Sequence, residues 1–238
     1  FLATAWGDYN NDGRPDVFLP QADEVTGLPN YLYRNDTNGT FTRVGAGVLD
    51  GNFNGVAAAW GDYDNDGDLD LFVSCVYAPG LVSRPNLFYS NNGDGTFTSL
   101  TSLPANDPEN QGGASFGCTW GDYDNDGWLD LFVANRADQN DFLYHNNGDG
   151  TFTKVGGVAV NDGAFSYAAA WGDYDNDGFL DLFVGNYGSG SVAAGPGGVR
   201  AGTRGQRHHA DRPARRARSA DRERHTRHRR SIARRRTD

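Results

Sequence analysis

Apolar and polar residues follow one pattern that occurs four times in the first 187 residues. Each copy has a short run of small or apolar residues ending in Trp, then a polar Asp-rich loop, then an apolar run of the type LDLFV. The four Trp residues are Trp6, Trp60, Trp120 and Trp171, which stand 51 to 60 residues apart. Because the second run is rich in β-branched and aromatic residues, each loop is predicted to join two β-strands.

A second motif follows the first in three copies, beginning at Asn30, Asn86 and Asp141. Its two alternating runs flank Asn and Gly residues, which tolerate the positive φ of a tight hairpin turn. Both motifs together predict four strands per repeat and an all-β fold, a β-propeller of four-stranded blades over residues 1–187. About three and a half blades are expected, namely 1–49, 55–103, 114–160 and a partial blade at 165–187. The four Trp residues share one register, so we expect them to be buried between blades.

The pattern stops after residue 187, and residues 188–238 are predicted to form a disordered, Arg-rich tail. From residue 200 onward the chain has no Phe, Trp, Tyr or Lys and holds 15 of its 20 Arg residues. Such a segment buries too little apolar surface to offset the entropy of ordering. The tail interrupts a blade in mid-pattern, so it is either the product of a shifted reading frame or a solvated extension.

It lacks interleaved aromatic residues, which does not favour nucleic acid as a partner. No apolar run is long enough for a membrane span.

The Asp-rich loops carry the candidate chemistry. When the first Asp of each loop is numbered position 1, oxygen-bearing side chains stand at positions 1, 3, 5 and 9, and Gly stands at position 6, where it allows a sharp turn. Position 7 varies freely, as expected where only a backbone carbonyl coordinates an ion. The candidate ligands at positions 1, 3, 5, 7 and 9 are Asp8, Asn10, Asp12, Arg14 and Asp16; Asp62, Asp64, Asp66, Asp68 and Asp70; Asp122, Asp124, Asp126, Trp128 and Asp130; and Asp173, Asp175, Asp177, Phe179 and Asp181.

All-oxygen ligation with several carboxylates favours Ca²⁺ over Zn²⁺, which prefers His or Cys, and over Mg²⁺, which keeps more of its waters. Up to four Ca²⁺ sites are therefore expected. A solvated acidic turn is the alternative for a single loop, but four copies in register favour a metal. An EF-hand also begins with DxDxDG, but it requires an acidic residue at position 12 and flanking helices. Position 12 here is Leu19, Val73, Val133 or Val184, and the flanks have strand character.

At these two alternating motifs the sequence resembles the FG-GAP/VCBS repeat proteins, whose calcium-loop blades also build the N-terminal propeller of integrin α-chains. The pairing of GDYDNDGDLDLFV with NLFYSNNGDGTFT is most similar to the branch with ASPIC/UnbV and cartilage acidic protein repeats. The resemblance covers residues 1–187. It implies calcium ligands at Asp8, Asn10, Asp12 and Asp16 and at the matching residues of the other loops, and a secreted or cell-surface protein engaged in adhesion or ligand binding. Propellers of this family usually have seven blades, so the visible repeats are not expected to close a ring.

Two functions follow as expectations. The first is a non-catalytic module that binds an extracellular protein or glycan, and the second is the propeller portion of a secreted polysaccharide lyase or hydrolase. The residues favour the first. His145 stands where other copies have Arg34 and Ser90, so it is interpreted as a variable, exposed position. Cys75 and Cys118 are interpreted as two small unpaired strand residues, too few for a disulfide framework.

Overall fold

The repeats fold into a series of antiparallel β-sheets. The computed structural model describes residues 3–22, 28–45, 47–51, 54–76, 85–102, 104, 115–136, 140–155, 165–187 and 198–201. These residues form three four-stranded sheets and one three-stranded sheet, together with a short 3-10 helix at Gly47–Asp50. The predicted all-β class is confirmed. We call each sheet a blade and number the blades 1 to 4 along the chain.

Strand order within each blade follows the sequence, and neighbouring strands pair antiparallel. Blade 1 comprises β1 (Ala5–Gly7), β2 (Asp16–Leu19), β3 (Tyr31–Asn35) and β4 (Phe41–Val44). Blade 2 comprises β5 (Gly55–Gly61), β6 (Asp70–Cys75), β7 (Leu87–Asn91) and β8 (Phe97–Leu100). Blade 3 comprises β9 (Ser115–Gly121), β10 (Asp130–Asn135), β11 (Phe142–Asn146) and β12 (Phe152–Lys154). Blade 4 comprises β13 (Phe165–Gly172), β14 (Asp181–Tyr187) and β15 (Gly198–Ala201).

The two sequence motifs form the two predicted kinds of hairpin. Each Asp-rich loop joins the first and second strands of its blade, as between β5 and β6, where Trp60 lies opposite Leu71. The second motif supplies the third strand, a tight turn and the fourth strand. In blade 1 the amide of Asp36 donates to the carbonyl of Thr40 at 2.8 Å to close that turn, and Gly39 adopts a positive φ of 79° within it.

The hydrophobic core lies between the blades. Successive side chains of a strand point to opposite faces of the sheet, so Leu71 and Val73 of β6 pack toward blade 1 in a cluster with Phe18. Phe72, between them, packs toward blade 3 in a cluster with Leu131. A third cluster joins blades 3 and 4. Each inner blade therefore buries one face against the preceding blade and the other against the following blade. Within the described residues the four blades do not close into a ring.

The same contacts recur where consecutive blades meet, and we call each of these three junctions a joint. In the first joint the indole of Trp60 covers Gly7 of the preceding blade, so closely that a Cβ at residue 7 would lie 2.8 Å from the indole Cδ1. Glycine is required there because a larger residue would displace the ring. The equivalent pairs of the next two joints are Trp120 on Gly61 and Trp171 on Gly121.

Hydrogen bonds add to the first two indole contacts, whereas the Nε1 of Trp171 in the third joint is buried without a hydrogen-bond partner. The Nε1 of Trp60 donates to the carbonyl of Ala5 at 3.3 Å, and that of Trp120 donates to the carbonyl of Ala59 at 3.2 Å. A second hydrogen bond between blades recurs at the ends of the third strands. The side-chain amide of Asn91 donates to the carbonyl of Tyr9 at 2.8 Å and that of Asn146 to the carbonyl of Tyr63 at 2.7 Å, each in the preceding blade.

Trp6 departs from the prediction that all four Trp residues are buried. It is 58% exposed, because no preceding blade among the described residues covers it. Its ring meets Phe41 of its own blade, with centroids 6.0 Å apart. The other three Trp residues pack between blades as predicted.

Most of the predicted disordered tail lies outside the described residues. The exception is β15, whose Arg200 lies opposite Val184 of β14. The prediction of disorder is wrong for this short segment, because the edge of β14 presents main-chain groups with which an extended segment can pair. Cys75 ends β6 and Cys118 lies within β9, so both are strand residues, as predicted. Among the described residues, no helix is long and apolar enough to span a membrane.

Candidate metal centres

The four Asp-rich loops adopt one backbone conformation. The residue at position 4 is Asn in every loop and has a left-handed backbone, with φ between 55° and 60° at Asn11, Asn65, Asn125 and Asn176. The Gly at position 6 also has positive φ, between 83° and 95°. Asn and Gly tolerate these angles better than other residues. The sequence thus turns each loop sharply enough to bring alternate side chains to its inner side.

The position-1 carboxylate holds the turn together. In the second loop, Asp62 accepts hydrogen bonds from the amides of Asp66 and Gly67, both at 3.1 Å. The position-5 carboxylate of Asp66 in turn accepts from the amide of Asp68 at 2.9 Å. The other three loops repeat these bonds with donor–acceptor distances between 2.7 and 3.1 Å.

The position-9 carboxylate connects the loop to the blade. In blade 2 Asp70 is completely buried; its Oδ2 accepts from the amide of Tyr63 in the loop at 3.1 Å, and its Oδ1 accepts from the amide of Asn91 in β7 at 2.9 Å. Burial raises the pKa of Asp70 to about 7, although these two amides oppose the rise. Asp16 and Asp130 are equally buried, and burial raises the pKa of both carboxyl groups as well. Three carboxylates therefore lie away from water at a cost in desolvation.

Several of the predicted ligand atoms do come together. Carboxylate oxygens lie within 4.8 Å of one another in three sets drawn from the second, third and fourth loops. Asp64 and Asp124, at position 3, have raised pKa values, first because of burial and then because of neighbouring carboxylates. These sets are Asp62, Asp64 and Asp66; Asp122, Asp124 and Asp126; and Asp173, Asp175 and Asp181.

The side chains at position 7 have their own contacts, which the interpretation as a free position did not foresee. Trp128 lies against the hairpin glycine Gly148, where a Cβ would be 2.7 Å from the indole Nε1. Asp68 accepts a hydrogen bond of 2.7 Å from the side-chain amide of Asn11 in the preceding blade. The side chain at position 7 is therefore part of the packing around the loop, and coordination by its backbone carbonyl stays a prediction.

Arg14 makes the first loop different from the others. Its guanidinium pairs with the carboxylate of Asp12 and also donates to the carbonyl of Asn35 at 2.8 Å. Position 3 of this loop is Asn10, whose side-chain oxygen accepts from the amide of Asp12 at 3.2 Å. The first loop thus carries less negative charge than the others, and the guanidinium of Arg14 already pairs with one of its carboxylates.

His145 was missed as a loop residue. The interpretation as an exposed position is wrong, because the side chain is only 28% exposed and lies over the third loop. Its Nδ1 lies 3.2 Å from Oδ1 of Asp130 and 3.5 Å from Oδ2 of Asp124. The register of β10 and β11, in which Leu131 lies opposite Tyr144, brings His145 close to Asp130. The strand register was therefore the signal that could have identified His145 as a neighbour of the loop.

The Asn residues at position 4 were also missed, because they are not ligands in the predicted set. Their side-chain amides donate across the joints to the position-6 Gly carbonyl of the next loop. The three bonds are Asn11 to Gly67 at 3.2 Å, Asn65 to Gly127 at 3.0 Å and Asn125 to Gly178 at 2.7 Å. The occurrence of Asn at position 4 in all four copies was the available signal. The loops are therefore linked in series along one edge of the blades.

Comparisons with known proteins identify a family and one similar solved structure. No curated protein matches the sequence. Among solved structures, the chain is similar to a lectin from Agrocybe aegerita that recognises non-reducing terminal N-acetylglucosamine, with 19% identity, 83% of this chain covered and a TM-score of 0.49. The match covers 52% of the lectin chain, so this chain spans about half the length of that relative. A family model, the FG-GAP-like repeat, matches residues 8–73, 76–133 and 122–184. These matches include all four Asp-rich loops and most of the blades, and the chain therefore belongs to the FG-GAP-like repeat family.

Proposed function

We propose that the chain is a calcium-stabilised, non-catalytic β-propeller module of a secreted or cell-surface protein, and that it binds an extracellular protein or a glycan. The observation that carries the calcium part is the convergence of carboxylate oxygens in loops of identical backbone conformation. Oxygen donors in such number are the ligands that Ca²⁺ prefers.

The charge balance of the loops supports a bound cation. Oδ2 of Asp16 and Oδ1 of Asp64 are buried and have no hydrogen-bond partner, and such atoms are costly to leave unsatisfied. Arg14, Arg34 and Arg43 pair with Asp12, Asp36 and Asp50, none of which belongs to the second or fourth loop. The carboxylates of the second and fourth loops therefore have no Arg or Lys partner in the described part of the chain. A divalent ion would supply the missing positive charge.

The contacts of the position-9 carboxylate explain how an ion would stabilise the fold. Asp70 already holds the loop amide of Tyr63 and the β7 amide of Asn91. Any ligand that fixes this carboxylate also fixes three segments of the blade. At a free Ca²⁺ concentration of 100 times Kd, each independent site would contribute about 2.7 kcal/mol to the free energy of unfolding.

The loops suit a structural role better than a catalytic one. Each position-1 carboxylate accepts two main-chain amides, as Asp122 does from Asp126 and Gly127, both at 3.0 Å. A carboxylate held this way, beside a divalent cation, is a poor general base. Extracellular modules of this ligand type bind Ca²⁺ in the range of about 10⁻⁴ to 10⁻³ M. At the proposed location outside the cell, where Ca²⁺ is plentiful, sites of this affinity would be occupied.

Thermal melting in Ca²⁺ and in EGTA tests the calcium proposal. With free Ca²⁺ at 100 times Kd, each occupied site should raise the melting midpoint by about 5–11 °C, from about 2.7 kcal/mol per site and 2–4 °C per kcal/mol for a domain of this size. In the variant Asp66→Ala, the difference between the melting midpoints in Ca²⁺ and in EGTA should be smaller by the contribution of one site. Asp94→Ala is the matched control, since Asp94 is an exposed hairpin residue of the same blade outside the loop. Equal midpoints with and without Ca²⁺ would refute the structural role of the metal.

A glycan array and an extracellular protein panel, both probed in Ca²⁺, test the binding part. Reproducible capture that EGTA abolishes is the expected result. The same preparation should be incubated with polyuronides and assayed for new chain ends. Turnover would overturn the assignment as a non-catalytic module and leave the calcium result intact.

A further inference from the structure

The third loop has a nitrogen donor beside its carboxylates. Ligand atoms of His145, Asp124 and Asp130 all lie within 4.8 Å of one another. The matching residues of blades 1 and 2 are Arg34 and Ser90, neither of which offers a neutral ring nitrogen to a metal ion. The all-oxygen donor set that favours Ca²⁺ over Zn²⁺ is therefore interrupted at this loop.

The distances around the imidazole are close to those between ligands of one small ion. Nδ1 of His145 lies 3.2 Å from Oδ1 of Asp130 and 3.5 Å from Oδ2 of Asp124. Ligand atoms at about 2.0–2.2 Å from a tetrahedral ion are about 3.3–3.6 Å apart. A hydrogen bond accounts for only one of the two contacts, because Nδ1 carries at most one proton. A metal ion bound by all three groups accounts for both.

The other side of the imidazole also has neighbours. Its Nε2 lies 3.9 Å from Oδ2 of Asp126, and its ring makes a T-shaped contact with Tyr123, with centroids 6.2 Å apart. A histidine that binds a metal through one nitrogen usually has a carboxylate, carbonyl or water near the other, which sets the tautomer and orients the ring. Asp126 lies on the side where such a partner is needed.

We propose that the third loop binds Zn²⁺ or a similar transition-metal ion in preference to Ca²⁺, through Nδ1 of His145 and one carboxylate oxygen each of Asp124 and Asp130. Imidazole nitrogen suits these ions, whereas Ca²⁺ takes oxygen ligands. Asp130 is completely buried and the side chain of Asp124 is 38% exposed, so the site is open on one side and water completes the coordination. The inference rests on the proposed function in treating the loops as metal centres, and it assigns a different ion to one of them.

Calorimetric titration of the full chain with Zn²⁺, in saturating Ca²⁺, measures the preference. Wild type should bind one Zn²⁺ through this loop, and His145→Ser should weaken that binding by at least about 10–100-fold, the loss that follows when only an outer partner of a ligand is removed. Ser90→His is the matched gain, because it places an imidazole at the corresponding position of blade 2, whose loop has the same carboxylates. It should add a second Zn²⁺ site.

The remaining four His residues stand after residue 200 and are present in all three proteins. Any Zn²⁺ that they bind is therefore common to the titrations and cancels in the comparison. Melting midpoints without Zn²⁺ establish that the variants fold. Equal Zn²⁺ binding by wild type and a folded His145→Ser protein would overturn the proposal, and a folded Ser90→His protein with no added site would count against it.

Nuclear magnetic resonance of the wild-type chain labelled with ¹⁵N-histidine identifies the ligand atom without any substitution. Zn²⁺ should shift the Nδ1 signal of His145 more than its Nε2 signal. An unmoved Nδ1 signal would leave the contact with Asp130 as a hydrogen bond of the fold and overturn the proposal. Failure of the calcium proposal has a different signature, equal melting midpoints in Ca²⁺ and in EGTA, and His145-dependent Zn²⁺ binding can still be measured in the calcium-free protein.

Discussion

Replacing Gly61 by Ala should disrupt the joint between blades 2 and 3. The added Cβ would lie 2.7 Å from Cδ1 and 2.8 Å from Cγ of Trp120. The indole has little room to move, because its Nε1 bonds to the carbonyl of Ala59 at 3.2 Å. The rings of Phe72 and Phe88 also surround it, with centroids 6.4 and 5.7 Å away.

The expected cost has two parts. Overpacking a filled core costs about 1–3 kcal/mol, and a strained or lost indole hydrogen bond costs about 1 kcal/mol more. The free energy of unfolding should therefore fall by about 2–4 kcal/mol. For a domain of this size the melting midpoint should fall by about 4–16 °C.

Urea unfolding and thermal melting, both in saturating Ca²⁺ and dilute protein, measure the effect. Gly172→Ala is the matched control, because Gly172 occupies the same place in the WGD motif and has no atom within 4 Å of an added Cβ. The gain from restricting the unfolded chain is the same for both substitutions and cancels between them. The packing explanation would be refuted if Gly61→Ala unfolded at the same urea concentration as Gly172→Ala.

Three further changes probe other contacts. Asn146→Ala should lower the free energy of unfolding by about 1–3 kcal/mol, because it removes the donor to the buried carbonyl of Tyr63 and to the partly buried carbonyl of Leu129. Asn147→Ala, at an exposed neighbour, should cost less in the same urea assay, and equal losses would contradict the role of the buried amide. Arg14→Ser should raise the Ca²⁺ affinity of the first loop by up to about fivefold in calorimetry, since it frees the carboxylate of Asp12 from an exposed ion pair. An unchanged affinity would show that this ion pair does not compete with Ca²⁺. Without Ca²⁺ the melting midpoint should fall between pH 5 and pH 7.5, roughly the interval in which the raised pKa of Asp70 leaves the folded state with more bound protons than the unfolded state. Saturating Ca²⁺ should remove this fall, and a midpoint that rises with pH in the calcium-free protein would count against it.

The local parts of the fold could be predicted from the sequence. Strand positions, both hairpins and the placement of the Asp-rich loops depend on residues close together in the chain, such as the alternation of LDLFV and the Asn and Gly residues in the turns. The loop conformation was predictable for the same reason, since Gly67 and its counterparts allow the turn that gathers alternate carboxylates.

Contacts between repeats were harder to predict, because each depends on which blade lies alongside. Trp6 and Trp60 have the same local sequence, yet one is exposed and the other is packed against Gly7. His145 lies beside Asp130 only because β11 pairs with β10 in one register. The Asn at position 4 was not among the predicted ligands, although its side chain bonds to the next loop.

The three joints use the same residue types in the same places, and this has a consequence for how the chain folds. A Trp that fits one of these glycines fits the others, so this contact alone does not determine which blade follows which. Closing a shorter loop costs less entropy, which favours pairing with the next blade in the sequence. Slow or stressed folding would therefore allow a blade to skip its neighbour and pair with a more distant one, and the product would be well packed locally and wrong in order.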